Sequence, residues 1–456
     1  MYRIDIHGFD KPNLLAELID EFMTPSEYSF SEGGTAIDIE SAACGTTDDA
    51  KREIYDKLKE TTGKAPEWGI LTGVRPVKLF GELYRKTGSI AGAKEFLAGE
   101  YRLSVGKADL LSDIYLYQTE ICGEPPVDSV SLYVGIPFCP TRCLYCSFAS
   151  NQVGEDEIAR YLEALKREIR EVGEMSKRAG QEIETLYFGG GTPTTLSARQ
   201  LSELLELTAY SFDLSKVREI TVEAGRPDTI SADKLRALKD HGVTRISINP
   251  QSMKQETLDI IGRSHTPDDI RMAFEEAMQA GFDSVNSDVI AGLPKEDEND
   301  CMAAIDAVTG FGADNVTVHS LAVKRASRLK EQDPEYHYRY SELVKKTISL
   351  AGERLKNKGF KPYYLYRQKH MSGAAENTGY CKDDKAGLYN VRIMDEHQSI
   401  LALGAGGVSK RYYPSMNRLT RVPNVTNYTQ YIDRVDEMIK RKYEGFFKGE
   451  GEIDAD

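Results

Sequence analysis

Short apolar runs alternate with amphipathic stretches through the middle of the chain, from about residue 130 to residue 320. The apolar runs have the length and side-chain pattern of strands, and they predict strands at 132–135, 185–188, 219–223, 245–249, 284–290 and 315–319. The stretches between them have a helical period and predict helices at 156–178, 197–210, 231–241, 254–280 and 298–311. Repeated steps from strand to helix to strand predict an α/β fold with a parallel sheet, either doubly wound or a barrel.

Unusual polar and glycine-rich residues stand at the C-terminal ends of these predicted strands. In strand order they are Cys139, Cys143 and Cys146; the glycines 189–191; Glu223; Gln251; Asp288; and His319 with Ala322. In a (β/α) barrel the carboxyl ends of the strands share one mouth, where active sites lie. The sequence therefore favours a barrel with its functional site at that mouth.

The two flanks of this core have different patterns. Residues 1–125 predict an N-terminal α+β accessory domain with a strand at 2–6, a helix at 11–23, a hairpin at 29–39 and a helix at 48–60. The core covers 126–345, and 346–456 predicts a C-terminal α+β extension that covers the substrate, with a final amphipathic helix at 428–443. In the N-terminal domain, Arg75 and Lys78 flank Pro76, a pattern more typical of a helix start than of a basic loop that faces an anion.

Charge and hydropathy narrow the function classes. The formal net charge of −14 argues against a nucleic-acid partner, because such partners need a basic surface. No run approaches the ~20 apolar residues of a membrane span. The first residues lack the layout of a signal peptide, so we expect a cytoplasmic protein.

Cys139, Cys143 and Cys146 stand at C-x3-C-x2-C spacing on one short loop. Thiolates are soft ligands that suit iron–sulfur clusters and zinc. A fully ligated centre needs four protein ligands, and no other cysteine or histidine lies in this loop or just beyond it. The spacing indicates a metal centre with one open coordination position; the alternative is zinc with a distant fourth ligand.

The other residues at the predicted mouth can hold a small polar ligand. Gly189–Gly191 is neither a P-loop nor a dinucleotide fingerprint, but glycines after a strand allow a ligand to approach the backbone. Glu223 and Asp288 are acceptors for an ammonium group or ribose hydroxyls. Arg263 fits either a ligand carboxylate or a helix-end cap.

Together these motifs resemble the radical S-adenosylmethionine (SAM) superfamily and, within it, the oxygen-independent coproporphyrinogen III oxidase-like proteins. The matching segments are 133–146, 189–193, 221–224, 251–252, 262–265, 288 and 292–294, and the resemblance covers about 130–430. Residues 71–76 are similar to the HemZ-type branch, the coproporphyrinogen dehydrogenases. The resemblance implies a partial (β/α)6 radical SAM barrel.

The resemblance also implies cofactors and their ligands. A 4Fe-4S cluster is expected on Cys139, Cys143 and Cys146. A first SAM is expected on the open iron, near Tyr133, Tyr145, Gly190, Glu223 and Val408. A second SAM, which the related oxidases hold, is expected at Gly191, Thr192, Gln251, Arg263, Asp288 and Ala322. The implied partners are a tetrapyrrole substrate and a reduced flavodoxin- or ferredoxin-like electron donor.

The implied reaction is a step of heme biosynthesis. One electron cleaves SAM, and the deoxyadenosyl radical removes hydrogen from the β-carbon of a coproporphyrinogen III propionate. Loss of carbon dioxide and a second electron leaves a vinyl group, and two rounds give protoporphyrinogen IX. Candidate cations for the propionates are Arg142, Arg226, Lys324, Arg325, Arg367, Lys369, Lys410 and Arg411, with Lys324–Arg325 and Lys410–Arg411 favoured.

Three differences from the related proteins bear on the choice of function. Phe148 stands where the oxidases carry a further cysteine, and heme-chaperone relatives share this phenylalanine. The chaperone motif His-Asn-x-x-Tyr-Trp corresponds to 376–381 here, which lacks the histidine and the tryptophan and is more similar to the oxidases. Arg226 is an additional arginine in the segment after Glu223. The alternatives are a heme-binding chaperone, a radical SAM enzyme that methylates a tetrapyrrole, and a zinc-stabilised barrel.

Overall fold

The computed structural model describes residues 2–448, apart from 8–14, 31–34, 41–45, 74, 149, 325 and 369–370. Two sheets organise these residues: three strands in the N-terminal unit, and eleven strands in the rest of the chain. No helix in these ranges is long and apolar enough to cross a bilayer.

The N-terminal unit combines a small parallel sheet with helices. Its elements are β1 (Tyr2–His7), α1 (Ala16–Ile19), β2 (Tyr28–Ser29), β3 (Thr35–Glu40), α2 (Thr47–Thr62), α3 (Pro76–Thr87), α4 (Ile90–Glu100) and α5 (Val105–Ile121). The predicted hairpin at 29–39 is wrong, because β2 and β3 both pair in parallel with β1, which lies between them. Burying Ile4 and Ile37 against α1 and α2 places these two strands side by side. The first part of the predicted helix at 11–23 lies outside the described residues, and α1 is the helical part of the rest.

The six predicted core strands are confirmed. They are β4 (Ser129–Ile136), β5 (Glu182–Gly190), β6 (Glu219–Glu223), β7 (Arg245–Ser247), β8 (Ser284–Ala291) and β9 (Asn315–Ser320). Each is parallel to the next and adjacent to it. Leu132, Val134, Ile246 and Val316 are fully buried in the hydrophobic core between this sheet and its helices. This is the strand order of a partial (β/α)6 barrel.

Helices connect these strands. They are α6 (Glu155–Arg178), α7 (Ala198–Ser211), α8 (Ala232–Asp240), α9 (Gln255–Ile260), α10 (Pro267–Ala280) and α11 (Glu298–Phe311). The single helix predicted at 254–280 is wrong, because α9 ends before Gly262, which has a φ of 75°. A new helix then begins at Pro267, capped by the side chain of Thr266. Proline fits the first helical turn, where its missing N–H group costs nothing.

The C-terminal region extends the core sheet at both edges. Its elements are α12 (Arg328–Gln332), α13 (Tyr336–Arg339), α14 (Ser341–Asn357), β10 (Lys361–Tyr366), β11 (Asn377–Cys381), α15 (Leu388–Asp395), β12 (Ser399–Leu403), β13 (Val408–Tyr413), β14 (Arg418–Pro423), α16 (Tyr428–Asp433) and α17 (Val435–Lys442). At one edge β11 and β10 add antiparallel strands beyond β9. At the other edge β12 lies parallel to β4, and β13 and β14 follow in antiparallel order. The proposed division at 126–345 and 346–456 stays a prediction, because a shared sheet does not show which part folds alone.

The final helical segment packs on the core through buried charges. The predicted helix at 428–443 is two helices, α16 and α17, followed by a π-helical turn over Tyr443–Phe447. Lys442 at the end of α17 lies 2.7 Å from the carboxylate of Glu168 on α6, and both side chains are fully buried. Glu168 also accepts a hydrogen bond from the backbone N–H of Gly404 at 2.7 Å. This contact places the turn after β12 beside the carboxyl end of β4.

Candidate functional site

A cavity of about 410 Å³ opens at the carboxyl ends of the core strands. Every predicted site residue except Val408 lines it: Tyr133, Cys139, Cys143, Tyr145, Cys146, Gly190, Gly191, Thr192, Glu223, Gln251, Arg263, Asp288 and Ala322. A larger cavity, of about 740 Å³, lies at the opposite strand ends, between Ser129 and Ser399. The smaller cavity contains the three cysteines of the loop, whereas no cysteine of the described residues lines the larger one.

The loop that carries the cysteines is held on several sides. The N–H of Cys139 donates to the carbonyl of Asn151 at 3.1 Å, and the N–H of Leu144 donates to Ile261 at 3.0 Å. The Thr141 hydroxyl donates to the Gly262 carbonyl at 2.9 Å. These contacts fix the loop between β4 and the turn after α9, so that its three thiols face one cavity.

Burial favours the protonated thiol at two cysteines of this loop, Cys139 and Cys146. It raises the pKa of Cys139 to about 11 and also raises the pKa of Cys146. Metal ligation requires the thiolate, so binding of a metal centre must release protons here. The positive charge of a bound metal centre offsets the cost of burying a thiolate, because a thiol that coordinates a metal is deprotonated.

The glycines after β5 lie against the cysteine loop so closely that side chains cannot fit. A Cβ on Gly191 would lie 2.5 Å from the Phe138 carbonyl oxygen and 3.0 Å from Cys139 Sγ. Gly190 has a φ of 115°, which favours glycine. The absence of side chains leaves the backbone open to a ligand in the cavity.

Glu223 at the end of β6 is a buried acceptor. Its carboxylate accepts hydrogen bonds from the Tyr187 hydroxyl at 2.7 Å and from the Gly190 N–H at 3.2 Å. Burial raises the pKa of Glu223 to about 7, the Asp288 charge raises it further, and the Tyr187 bond lowers it. A cationic group in the cavity would favour the ionised carboxylate.

Asp288 on β8 is the second carboxylate and has a different environment. Burial alone would raise its pKa, but the hydrogen bond and charge of His319 and the hydrogen bond from Asn286 lower it below the usual value. His319 Nε2 lies 3.6 Å from Asp288 Oδ2, and Asn286 donates to Oδ1 at 3.0 Å. The Tyr366 hydroxyl lies 3.3 Å from the other ring nitrogen of His319. Asp288 is therefore an ionised acceptor at neutral pH.

Arg263 and Gln251 form the wall between these carboxylates. The Arg263 guanidinium donates to the carbonyls of Gly225 at 3.1 Å and Asn249 at 2.8 Å, and to the Tyr145 hydroxyl at 3.2 Å. The Arg263 side chain therefore binds the loops after β6 and β7. The backbone N–H of Arg263 caps the end of α9 by donating to the Leu258 carbonyl at 2.9 Å, so the expected helix-end cap is present, and the contact with a ligand carboxylate stays a prediction. The side-chain oxygen of Gln251 is buried without a hydrogen-bond partner among the described residues. That oxygen is free to accept a hydrogen bond from a ligand.

The structure does not bring Val408 to the cavity. Val408 begins β13, is 38% exposed and pairs with Pro423 on β14. The turn after β12 takes the chain away from the mouth toward the antiparallel edge. Val408 therefore lies outside the lining of this cavity, and its contact with a first SAM stays a prediction.

The candidate cations for the propionates differ in whether they line the cavity, bind elsewhere or lie outside the described residues. Lys324 lines the cavity, with its Nζ 5.6 Å from the centre of the Phe148 ring. Arg226 also lines the cavity but is buried, whereas Arg142 donates to the Ala326 carbonyl beside the cysteine loop. The favoured pair Lys410–Arg411 is wrong, because Lys410 binds Glu396 and Arg411 binds backbone carbonyls at the C-terminus. Arg367 is buried under the N-terminal unit, and Arg325 and Lys369 lie outside the described residues.

Sequence reasoning missed residues that reach the cavity from other elements. Tyr187 binds Glu223 from within β5, while Tyr366 and Asn377 line the cavity from β10 and β11. The alternation of side chains along β5 assigns Tyr187 to one face of the strand, but it does not show which face points toward the cavity. Nothing in the sequence indicates that β10 and β11 pair beyond β9.

The residues present fit a 4Fe-4S cluster with SAM, because three cysteines and an open stretch of backbone line one cavity. Within the described ranges, no three His, Cys, Asp or Glu side chains are grouped closely enough to hold one ion. In a 4Fe-4S cluster the cysteines bind separate irons, so their sulfurs lie farther apart around a shared space. The side-chain-free backbone at Gly190 and Gly191 and the unpartnered oxygen of Gln251 provide contacts for an amino-acid ligand beside it.

Comparison of the sequence with known proteins finds one family model and several similar proteins. The radical SAM superfamily model matches residues 133–308. The oxygen-independent coproporphyrinogen-III oxidase-like protein HemZ of Bacillus subtilis is 35% identical over 412 residues, which are 86% of this chain and 81% of that protein. The heme chaperone HemW of B. subtilis is 35% identical over 198 residues, 42% of this chain and 51% of HemW. The oxygen-independent coproporphyrinogen III oxidase of Escherichia coli is 32% identical over 198 residues, 43% of each chain.

A solved structure shares the fold. The E. coli coproporphyrinogen III oxidase HemN, described as a radical SAM enzyme, matches with a TM-score of 0.53 and 23% identity over 71% of this chain and 72% of that chain. This supports the order of strands and helices described above. The long match to HemZ, together with the matching domain model, shows the family. The chain belongs to the radical SAM superfamily, in the group of oxygen-independent coproporphyrinogen-III oxidase-like proteins.

Proposed function

We propose that this protein catalyses the oxygen-independent oxidative decarboxylation of coproporphyrinogen III propionates to vinyl groups, giving protoporphyrinogen IX. The observation that carries the proposal is the convergence of three cysteines, two carboxylates and a glycine-lined backbone on one cavity. The 35% identity to the HemZ oxidase-like protein over most of both chains supports the choice of substrate.

The chain's own residues would bind and orient SAM. With a cluster on the three cysteines, the bound SAM supplies a carbon-centred radical after one-electron cleavage. Glu223 is suited to an ammonium group, because its buried carboxyl gains negative charge when a cation binds. Asp288 is held ionised beside His319 and is suited to hydroxyl donors. The backbone around Gly190 gives the ligand access to peptide groups.

Two residues of the same cavity support the proposal of a tetrapyrrole substrate. Lys324 lines the cavity and lies over the exposed face of Phe148, which is 65% exposed. An ammonium group beside an open aromatic ring can bind a propionate carboxylate and pack against a pyrrole at once. We propose that Lys324 anchors a propionate and that Phe148 packs against the ring.

We propose that one SAM binds at a time. The cavity of about 410 Å³ must hold SAM and admit part of the substrate. The residues expected around a second SAM, such as Gln251 and Arg263, line the same cavity rather than a separate one. Equilibrium dialysis of the reconstituted protein tests the count: one SAM per cluster is expected, and two would contradict the proposal.

We propose that a reduced flavodoxin- or ferredoxin-like protein donates the electrons beside the cysteine loop. A shallow surface there is lined by Pro140, Arg142 and Arg328. Cations at a docking surface attract an acidic partner and raise the association rate. Charge reversal at Arg328 should slow cluster reduction by such a donor but leave reduction by dithionite unchanged.

The test of the reaction is an anaerobic turnover assay. Reconstituted protein receives reductant, SAM and coproporphyrinogen III, and both deoxyadenosine and decarboxylated porphyrin are measured. The proposal expects both products, and expects neither from Cys146→Ser. Deoxyadenosine without decarboxylated porphyrin would reject the substrate while keeping the radical chemistry. Lys324→Gln should raise the KM for the porphyrinogen. The rate of deoxyadenosine formation without substrate should change less, because Lys324 is proposed to bind the substrate and not SAM.

A heme-binding role is the second candidate, and Phe148 is the observation that favours it. It lies exposed in the cavity lining, at the position where related oxidases carry a further cysteine. The relatives include the heme chaperone HemW. Titration with heme distinguishes the two: stoichiometric binding with a visible absorption shift and no porphyrin product would favour the chaperone role.

A further inference from the structure

Arg226 lies behind the cysteine loop and faces one of its sulfurs. Its Nη1 atom donates to the Thr141 hydroxyl at 2.9 Å and lies 4.0 Å from Cys143 Sγ. The Arg226 side chain is 4% exposed, and Cys143 is also buried. A guanidinium group keeps its charge under all relevant conditions. A fixed positive charge therefore lies beside one thiolate of the expected cluster, away from bulk water.

A single carboxylate holds this guanidinium in place. Asp228 accepts two hydrogen bonds from Arg226, at 2.9 Å from Nε and 2.7 Å from Nη2. This paired geometry fixes the plane of the guanidinium and leaves Nη1 directed at the cysteine loop. His265 is the other titratable group beside Asp228, at 4.0 Å, and its side chain is fully buried. Burial and the charge of Arg263 lower the pKa of His265 to about 4, so it adds no charge at neutral pH.

We propose that Arg226 is a positioning residue for electron transfer: it raises the reduction potential of the cluster through its charge and its N–H group beside Cys143, and Asp228 limits that effect. Net charge and hydrogen bonds to the sulfurs are established levers on iron–sulfur potentials. Reduction adds one negative charge to the cluster and breaks no bond. A nearby cation therefore stabilises the reduced form more than the oxidised form.

This inference rests on the cluster of the proposed function but not on its substrate. Arg226 follows Glu223, the SAM acceptor, by three positions, so one short segment after β6 serves both cofactors. The 3-10 turn at Pro227–Thr229 places Asp228 back toward Arg226. The arginine is thus part of the local fold and not a mobile side chain that happens to lie near the loop.

The experiment is a redox titration of the reconstituted holoenzyme without substrate, in which the electron paramagnetic resonance signal reports the reduced cluster. At a fixed solution potential, Arg226→Gln should lower the ratio of reduced to oxidised cluster about tenfold, a shift of about 59 mV for a one-electron couple. Asp228→Asn should raise the ratio, because it removes the opposing negative charge but keeps an acceptor for Arg226. Arg226→Lys should shift the ratio less than Arg226→Gln does.

The controls make the result specific. Arg236→Gln removes an exposed arginine from α8 and should leave the ratio unchanged. Iron and sulfide contents show whether each variant holds its cluster. If Arg226→Gln loses the cluster, the proposal is tested by the other two variants. A higher ratio in Asp228→Asn and a small change in Arg226→Lys would support it. An unchanged ratio in Asp228→Asn, or shifts of the same sign in both charge variants, would overturn the proposal. Failure of porphyrin formation with these shifts intact would instead reject the substrate.

Discussion

Lys442→Met should strongly destabilise the packing of the C-terminal helices on the core. Lys442 and Glu168 are both fully buried, with 2.7 Å between the charged atoms. Removing the lysine leaves the carboxylate without its cation, although Tyr431 and Gly404 still donate to it. Removing one partner of a buried ion pair costs about 3–5 kcal/mol. Because the methionine keeps most of the side-chain volume, the loss measures charge and not a cavity.

The stability deficit of Lys442→Met should depend on pH, and the direction of that dependence follows from Glu168. Burial alone would raise the pKa of Glu168, but the charge and hydrogen bond of Lys442 and the bonds from Gly404 and Tyr431 lower it. In the natural protein this carboxylate contributes stability above its unfolded pKa, and that contribution is lost as pH falls through its folded pKa. Without Lys442 burial dominates and the folded pKa is raised. The variant then gains relative stability as pH falls, so its deficit should be smaller at low pH than at neutral pH.

Urea unfolding followed by far-ultraviolet circular dichroism measures the free-energy deficit, and hydrogen exchange locates it in α16 and α17. The matched control is Lys440→Met on the same helix, whose lysine is 72% exposed beside Glu444 and should contribute nothing measurable. The double variant Glu168→Gln with Lys442→Met should recover part of the loss. A deficit for Lys442→Met equal to that of Lys440→Met, or one that grows as pH falls, would refute the reasoning.

Further predictions concern the site. Gly191→Ala should abolish iron incorporation, because its Cβ would lie 2.5 Å from a backbone oxygen, whereas Gly99→Ala, with no atom within 4 Å, should retain iron. Tyr187→Phe removes a bond that lowers the pKa of Glu223, so that pKa should rise further above about 7. SAM binding, measured by calorimetry, should then begin at higher pH; an unshifted profile would show that the ionised carboxylate is not required. Cys301→Ser should keep a full iron content by elemental analysis, because Cys301 lies buried in α11 outside the cavity.

Much of the core could be predicted because its information is local. The alternation of apolar and polar positions predicted all six parallel strands, and the exposed connections were correctly helical. Consecutive strands of such a sheet are neighbours, so their carboxyl ends meet without any knowledge of distant contacts. That is why the cysteine loop, the glycines 189–191, Glu223 and Asp288 could be expected at one mouth.

The break in the helix predicted at 254–280 comes from the local residues Gly262 and Pro267. A different kind of error arose where pairing joins distant segments. The hairpin at 29–39 failed because β1 lies between β2 and β3. The helix α3 begins at Pro76, as the sequence predicts. The ion pair of Arg75 with Glu396, at 3.0 Å, could not be predicted, because the two residues are far apart in the sequence.

By itself the sequence determined the order of elements, the three-cysteine loop and the residues that follow each core strand. Only the tertiary structure decided that β10 and β11 supply Tyr366 and Asn377 to the cavity. It also decided that Trp68 binds Glu376, 308 positions away, and that Arg226 faces Cys143. The physical reason is the range of the forces involved. Backbone preference and side-chain period act over a few residues, whereas strand pairing and buried ion pairs form between segments that meet only once the core has packed.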